Sequence, residues 1–190
     1  MPAKDLNELI AWLKANPNKA SMGITTAGYR LAAAFFQKET GTHFVLVPYR
    51  GNAPAVQDLT AGQIDLFFGS PNELSLMRAG SIKAYAVSSD TRLALAPDIR
   101  TFAEMGLPGL SYSAWNGFFA PKGTSMDMIA KLNAAVVDAL ADATVRSLHV
   151  NIGFEVFPRE RKIPEALGAL VKADAEKWWP IIKEFGIKGQ

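Results

Sequence analysis

The sequence contains no cysteine, which excludes thiol catalysis, Cys-ligated zinc and a disulfide framework. It also lacks long apolar runs, since no stretch reaches the roughly 18 residues that a membrane-spanning helix needs. Blocks of positive charge are missing too: no run of five or more Lys or Arg occurs, and the formal net charge is +2. So small a charge gives no support for a nucleic-acid partner.

The motifs of the common catalytic mechanisms are also missing. There is no G-x-S-x-G elbow, P-loop or G-x-G-x-x-G fingerprint. His43 and His149 lie far apart in the chain and belong to no metal-binding pattern. Asp58 and Asp65 fall on different predicted elements, so they do not form a carboxylate pair for acid–base catalysis. We therefore predict no catalytic residue, no metal and no cofactor, with a small enzyme that uses another kind of site as the open alternative.

The first half of the chain alternates short apolar runs with helical patterns. Residues 64–68 are apolar at four of five positions, as in a strand that is covered on both faces. Such alternation is typical of an α/β fold with a doubly wound parallel sheet. The predicted strands are 21–26, 43–47, 64–68 and 82–88, and the predicted helices are one capped by Asp5, 29–40, 53–61 capped by Asn52, and a short one capped by Asn72.

The second half has a different pattern. It contains a predicted strand at 112–120 and a shorter one at 154–157, among three helical patterns. Ser125 is the predicted N-cap of the first of these helices, and Pro180 is predicted to interrupt the last. The apolar faces of these helices need a sheet to cover, and this part of the chain supplies little of one. The predicted helices are 125–141, 142–150 and 164–185.

The predicted site is the edge where parallel strands end and the following helices begin, because such folds bind ligands there. Helix amino termini offer unpaired N–H groups and a positive dipole end, which suits a carboxylate. Taken singly, each loop is equally well explained as a cap or a turn, but three converging loops favour a site. The predicted ligand-binding residues are Thr25, Thr26, Ala27, Gly28, Tyr29, Tyr49, Gly51 and Ser70.

Other residues near this edge permit two interpretations each. Arg30 and Arg50 either grip a carboxylate or are solvated surface residues. Tyr29 and Tyr49 either form walls for a ligand or simply pack. Trp115 and Asn116 stand where the sequence pattern changes, which predicts a hinge, whereas the alternative for Trp115 is a core position.

Seven segments carry a resemblance to a known family. The sequence resembles the Bug family, the extracytoplasmic solute receptors of tripartite tricarboxylate transporters, in the family's order and over nearly all of its length. The resemblance implies a two-lobed, periplasmic-binding-protein-like fold that closes on a small carboxylate and delivers it to a membrane permease. It also implies a periplasmic location and no enzyme activity. The segments are KANPNK (14–19), VPYRGNAPAVQDLTAGQIDL (47–66), RAGSIKAYAVSSDTR (78–92), LAPDIRTFAEMGLPGL (95–110), AWNGFFAPKGTS (114–125), LNAAVVDAL (132–140) and GFEV (153–156).

The chain is shorter than the members of this family, and the resemblance implies which parts it contains. Residues 4–114 correspond to a complete lobe two, and residues 115–190 correspond to the returning C-terminal part of lobe one. The missing front would hold the signal peptide and a Gly-rich ligand loop. Without it, the apolar faces of helices 125–141 and 164–185 are expected to be exposed. We therefore predict a homo-oligomer, with exchange of segments between chains as one route.

The predicted pocket departs from the family pattern in two places. ITTAGYR (24–30) stands where family members have a longer loop with a Gly-Thr/Ser-x-x-His pattern. Gly69-Ser70 stands where they often have Asp, and the absence of that Asp favours a ligand without an amino group. Two further alternatives stay open: the effector-sensing half of a transcription regulator, and a truncated receptor that binds no ligand and persists as an oligomeric scaffold.

Overall fold

The computed structural model describes residues 3–187, which divide into two compact units. Unit 1 runs to Ser113 and resumes at Ile181, and unit 2 is Ala114–Pro180. The first division lies beside the predicted boundary at residue 114, while the final residues fall in unit 1. The assignment of the two parts to lobe two and lobe one stays a prediction.

Unit 1 is built on a parallel sheet of three short strands. They are β1 (Ser21–Ile24), β2 (Val45–Pro48) and β3 (Leu66–Phe67). β1 lies in the centre, in the order β2-β1-β3, and its Met22 pairs with Leu46 on one side and Leu66 on the other. The chain moves in one direction from β1 to β2 and in the opposite direction from β2 to β3. The switch point between β1 and β3 is therefore the place where a sheet of this order binds ligands.

Four helices accompany this sheet. The Asp5 side chain caps the first of them by accepting the N–H of Glu8 at 2.9 Å, as predicted. The core of unit 1 places apolar residues of the first two helices against Met22 and Ile24 of β1, and Trp12 packs on its margin. The helices are α1 (Leu6–Ala15), α2 (Ala27–Thr40), α3 (Asn52–Thr60) and α4 (Leu74–Arg78), and 3₁₀ turns occur at Pro71–Glu73, Ala103–Met105 and Pro108–Leu110.

The predicted strand at 82–88 is wrong. Within this segment only Val87 forms a β-bridge, and its partner is Thr101. The bridge is made by hydrogen bonds between Val87 and the residues on either side of Thr101, Arg100 and Phe102. The segment before it is held by side chains instead, because the Lys83 ammonium and the Tyr85 hydroxyl both donate to the carbonyl of Ala3, at 3.1 and 3.2 Å. Apolar spacing alone cannot supply the neighbouring strand that a ladder requires.

Unit 2 consists of helices. The predicted strands at 112–120 and 154–157 are wrong, since no residue of either segment is in a strand. The Ser125 side chain caps the first helix by accepting the N–H of Met128 at 3.4 Å, as predicted. The last helix continues through Pro180, because the loss of one N–H donor does not have to end a helix. The helices are α5 (Met126–Ala141), α6 (Ala143–Asn151) and α7 (Pro164–Glu184), whose last four residues belong to unit 1.

Unit 2 buries very few of its apolar side chains. Among the described residues of this unit, Trp178 is the only one classed as buried. Across the described chain, no helix has both the length and the apolar character needed to cross a membrane. The large apolar side chains that unit 2 exposes are Phe118, Phe119, Met126, Met128, Leu132, Leu148, Val150, Ile152, Phe154, Phe157, Ile163, Val171 and Trp179.

Candidate ligand-binding site

The loops after β1 and β2 are joined by a side-chain hydrogen bond. The Thr25 hydroxyl donates to the side-chain oxygen of Asn52 at 2.8 Å. The sequence predicted Asn52 as the N-cap of α3. In the structure Gly51 occupies the cap position, and Asn52 is the first helical residue. Gly51 has φ +140°, a conformation that side-chain-bearing residues rarely adopt.

The first turn of α3 has no side-chain cap. Pro54 has no N–H group, so the amide donors of this turn are those of Asn52 and Ala53. An uncapped helix start with a positive dipole end can receive a carboxylate. This is the part of the predicted edge with the clearest capacity to bind an anion.

Tyr49, a predicted ligand contact, makes two hydrogen bonds within unit 1. Its hydroxyl donates to the Asp58 carboxylate at 2.6 Å, and its N–H donates to the carbonyl of Ile24 at 2.8 Å. The hydrogen bond to Asp58 raises the pKa of Tyr49, and burial and the negative charge of Asp58 raise it further. Tyr49 thereby ties the loop after β2 to α3 and to β1.

The loop after β3 closes on itself through Glu73. The Ser70 N–H and hydroxyl both donate to Oε2 of Glu73, at 2.5 and 3.0 Å. Ser70, and not Asn72 as predicted, is the cap of the short 3₁₀ turn. A β-carbon on Gly69 would lie 3.0 Å from the same Glu73 oxygen. A carboxylate therefore stands beside Gly69-Ser70, although the sequence has no acidic residue at either position.

Two tyrosines lie beside this carboxylate at the switch point. Tyr29 packs edge-on against Phe67 of β3, with ring centroids 6.2 Å apart. Burial raises the pKa of the Tyr29 hydroxyl, and the electrostatic interactions with Glu73 and with Tyr112 raise it further. The hydroxyl of Tyr112 covers Gly28, because a β-carbon there would lie 2.7 Å from it. Tyr29, Tyr112 and Glu73 thus gather near the carboxyl ends of β1 and β3.

The first turn of α2 is capped by Thr26 and partly covered by Tyr112. The Thr26 side chain accepts the N–H of Tyr29 at 3.2 Å and so caps the helix. Ala27 and Gly28 are the first two helical residues, and Tyr112 lies over the second. Of the three predicted loops, this one and the loop after β3 are capped by their own side chains, and the loop after β2 is not.

An open cleft of about 500 Å³ lies at this edge of unit 1. One wall is the start of α3 and the other is the segment 72–76. The polar residues that line it are Asn52, Gln57, Asn72, Glu73 and Ser75. Neither this cleft nor a larger open cavity of about 650 Å³ is lined by any of the predicted ligand-binding residues. The smaller cleft is the candidate site because its lining begins directly after two of them, at Asn52 after Gly51 and at Asn72 shortly after Ser70.

Sequence reasoning missed Glu73 and Tyr112. Glu73 has a detectable signal, since Ser70-Pro71-Asn72-Glu73 is a capping-box pattern. Tyr112 has none, because its contact with Gly28 joins distant parts of the chain. No ion pair involves Arg30 or Arg50 among the described residues.

The predicted hinge residues lie at the start of unit 2. The indole N–H of Trp115 donates to the Asp174 carboxylate at 2.5 Å, and Asn116 follows it in an exposed segment. Their role as a hinge stays a prediction. Within residues 3–187, no group of three or more acidic or histidine side chains is arranged to hold a metal ion.

A parallel sheet of this order, with a polar cleft at its carboxyl edge, is typical of α/β ligand-binding folds, and the matching solved structures are periplasmic binding proteins. Residues 1–187 match the model of the TctC family, the tripartite tricarboxylate transporter family receptors. The chain belongs to this family, which confirms the resemblance to the Bug receptors.

Named relatives agree with this assignment. A Pseudomonas sp. (strain P51) protein described as "UPF0065 protein in tcbD-tcbE intergenic region" is 34% identical over 187 residues, which are 96% of this chain and 54% of the relative. The structure of periplasmic binding protein BugD matches with TM-score 0.86 and 32% identity, covering 100% of this chain and 64% of BugD. MatC from Rhodopseudomonas palustris, solved with bound malate, matches with TM-score 0.82 and 31% identity, covering 95% and 63%. The chain thus spans about half the length of the Pseudomonas relative (54%) and just under two thirds of the two solved structures (64% and 63%).

Proposed function

We propose that this chain is the ligand-binding part of an extracytoplasmic receptor that captures a small carboxylate for a tripartite tricarboxylate transporter, without catalysis. The observation that carries the proposal is the cleft at the carboxyl edge of unit 1, where the first turn of α3 lacks a side-chain cap. Membership of the receptor family and the malate bound to MatC support it.

In this proposal the ligand carboxylate accepts hydrogen bonds from the N–H groups of Asn52 and Ala53. Thr25 holds the Asn52 side chain, and the conformation of Gly51 brings the helix start to the cleft. Thr26, Ala27, Gly28, Tyr29 and Ser70 shape the neighbouring loops. Closure on the ligand about Trp115 and Asn116, in the manner of a Venus flytrap, belongs to the same proposal.

The location and the partner follow from the family. We place the working protein in the periplasm, where BugD is a binding protein, and we assign it a membrane permease as its partner. Residues 4–114 act as lobe two in this scheme, and residues 115–190 act as the returning part of lobe one.

We further propose that a second copy of this chain covers the exposed apolar side chains of α5 and α6. Monomeric soluble proteins rarely expose large contiguous apolar patches. Leu132 is 50% exposed and Leu148 is 61% exposed, and the commonest homo-oligomer is a two-fold dimer in which identical faces meet.

Isothermal titration calorimetry of the whole chain with malate and succinate tests ligand capture. Asn52→Ala keeps the backbone N–H but removes the side-chain amide that accepts the hydrogen bond of Thr25. The start of α3 is then held less firmly, so we expect affinity to fall about tenfold, which corresponds to roughly 1.4 kcal/mol. Gln63→Ala is the matched control, because Gln63 is an exposed amide outside the cleft. A correctly folded chain that binds neither acid contradicts the proposal and favours the non-binding scaffold.

A further inference from the structure

Asn116-Gly117 is a dipeptide with a reaction of its own. The side-chain amide of an asparagine is an electrophile, and the backbone nitrogen of the following residue attacks it to close a succinimide ring. A glycine in the following position leaves that nitrogen unshielded, because glycine has no β-carbon. Among the asparagines of the sequence, only Asn116 is followed by glycine. The chemistry therefore singles out this position.

The structure leaves the dipeptide open to this reaction. Asn116 and Gly117 are both exposed, and the segment 111–120 around them contains neither helix nor strand. Among residues 3–187, no hydrogen bond engages the side chain of Asn116 or the N–H of Gly117. The nitrogen of Gly117 therefore loses its proton and approaches the Asn116 side chain without first breaking a backbone hydrogen bond.

The other asparagines are protected by their surroundings. The N–H that follows Asn18 donates to the carbonyl of Asn16 at 3.2 Å, and the N–H that follows Asn72 donates to the carbonyl of Ser70 at 3.1 Å. Asn16 itself precedes a proline, which has no N–H. The remaining asparagines lie in α-helices, whose regular dihedrals keep the next nitrogen away from the side-chain carbonyl. They are Asn7, Asn52, Asn133 and Asn151.

Packing explains why glycine stands at position 117. A β-carbon there would lie 2.9 Å from Cδ1 of Leu167 in α7 and 3.3 Å from the Trp115 ring. The Trp115 indole is in turn held by its hydrogen bond to Asp174 of the same helix. Trp115 and Gly117 are thus two points at which this segment fits against α7, and Asn116 is the exposed residue between them.

We propose that Asn116 is a site of spontaneous deamidation whose product lengthens the backbone between Trp115 and Gly117. The Gly117 nitrogen forms a bond to Cγ of Asn116, the bond from Cγ to the side-chain nitrogen breaks, and that nitrogen leaves as ammonia with the proton of the attacking nitrogen. Water then opens the succinimide. Opening at the main-chain carbonyl gives isoaspartate, which adds one methylene to the backbone, roughly 1.5 Å, and opening at the other carbonyl gives aspartate. Both products carry a negative charge that asparagine lacks, and the reaction needs no ligand.

Incubation of the whole chain at mildly alkaline pH, followed by peptide mapping with mass spectrometry, tests the site. Asn18 and Asn72 are the internal controls, because both are exposed and lie outside the α-helices. We expect Asn116 to be converted about tenfold faster than either of them. Equal rates at the three positions overturn the proposal.

An isoaspartate methyltransferase with a labelled methyl donor identifies the product. It is expected to label the aged native chain, whereas Asn116→Gln should lose most of the label, because a glutamine would have to close a larger and less favourable ring. Asn18→Gln is the matched variant and should be labelled as strongly as the native chain. Undiminished labelling of Asn116→Gln contradicts the assignment of the site.

Hydrogen exchange of the Trp115 indole N–H, followed by NMR, measures the consequence for the segment. We expect exchange to be about tenfold faster in the isoaspartyl form, because the added methylene moves the indole away from the Asp174 carboxylate and makes local opening easier. Asn116→Asp adds the same charge without the methylene and should keep the native rate. Equal exchange in the isoaspartyl and native forms, or equal acceleration in Asn116→Asp, refutes the proposed effect of the longer backbone.

Discussion

Gly23 in the central strand permits α3 to lie close to the sheet. A β-carbon at this position would stand 2.7 Å from Cδ1 of Ile64, 3.3 Å from the Phe67 ring and 3.5 Å from the β-carbon of Ala55. Ala55 of α3 is itself completely buried. The small residues at 23 and 55 thus determine how near the helix comes to β1, and with it the place of the Asn52 and Ala53 amides.

We expect Gly23→Ala to destabilise the chain by about 1–2 kcal/mol, because the added methyl overpacks a closed contact. Gly168→Ala in α7 is the matched control: no atom lies within 4 Å of its added β-carbon, so the substitution should stabilise by roughly 0.5–1 kcal/mol through helix propensity. Urea unfolding followed by circular dichroism measures both. Equal stability of Gly23→Ala and the native chain contradicts the close packing described for β1.

At the scale of single residues, the sequence predicted some helix caps and missed others. Asp5 and Ser125 cap α1 and α5 as predicted. Asn52 and Asn72 do not cap, since Gly51 and Ser70 hold those positions. Several residues that could cap a helix are neighbours in these loops. Which of them forms the cap depends on contacts with other parts of the chain, such as the hydrogen bond from the Thr25 hydroxyl to Asn52.

At the scale of elements, the irregular part of unit 1 is held by a capping box that the sequence analysis did not identify. The N–H of Thr101 donates to Oε2 of Glu104 at 2.8 Å, and the N–H of Glu104 donates to the Thr101 hydroxyl oxygen at 3.1 Å. Nε of Arg92 donates to both Glu104 oxygens at 2.9 Å. The hydrogen bond from Arg92, followed by that from Thr101, lowers the pKa of Glu104 to about 2.

Stability should therefore depend on pH through Glu104. A folded-state pKa of about 2, below the ordinary 4.5, means that the ionised carboxylate contributes to stability above pH 4.5 and loses this contribution as the pH falls toward 2. We expect Glu104→Gln to unfold at lower urea than the native chain at neutral pH, with a difference that shrinks through this window. Glu155→Gln at another exposed glutamate is the control. A difference that does not change with pH contradicts the role of the charge.

Helices were more predictable than strands in this chain. Amphipathic spacing and caps are local signals, and every predicted helix has a counterpart in the structure. The runs at 82–88 and 112–120 have strand-like composition but form no strand. A strand needs a neighbour, and Lys83 and Tyr85 engage the Ala3 carbonyl in place of one. No local pattern could have indicated that contact.

At the scale of the whole molecule, apolar burial is unequally distributed. The core cluster lies in unit 1, whereas unit 2 exposes apolar residues along α5 and α6. Phe118 and Phe119, in the segment before α5, are 81% and 70% exposed. The prediction of exposed faces on the C-terminal helices agrees with the structure, and the oligomer that we propose to cover them stays a proposal.

Self-association is expected to depend on these apolar side chains. Sedimentation velocity of the native chain should show a dimer or larger species that dissociates on dilution. The double substitution Leu132→Lys and Leu148→Lys should shift the population to monomer without loss of helix content, since both side chains are exposed. Val45→Lys, at an apolar residue of unit 1 that is 48% exposed, should leave the association unchanged. A native chain that is monomeric at every concentration refutes the proposal.

The sequence predicted that the loops after the strands meet at one edge of the sheet, but it did not predict what their side chains bind. Strand and helix alternation brought the segments after β1, β2 and β3 to one edge, which is a consequence of topology. The polar side chains there bind one another: Thr25 binds Asn52, Tyr49 binds Asp58, and Ser70 binds Glu73. Residue types alone do not reveal whether a hydroxyl faces a ligand or a neighbour.

The placement of tryptophan gives each unit its own optical signal. Trp12 lies in unit 1 against the core, while Trp115, Trp178 and Trp179 all fall in unit 2. The tryptophan fluorescence that is lost in Trp12→Phe therefore comes from unit 1, and the fluorescence that this variant retains comes from unit 2. Subtracting the fluorescence spectrum of this variant from that of the native chain at each denaturant concentration separates the melting of the two units, without any attached dye.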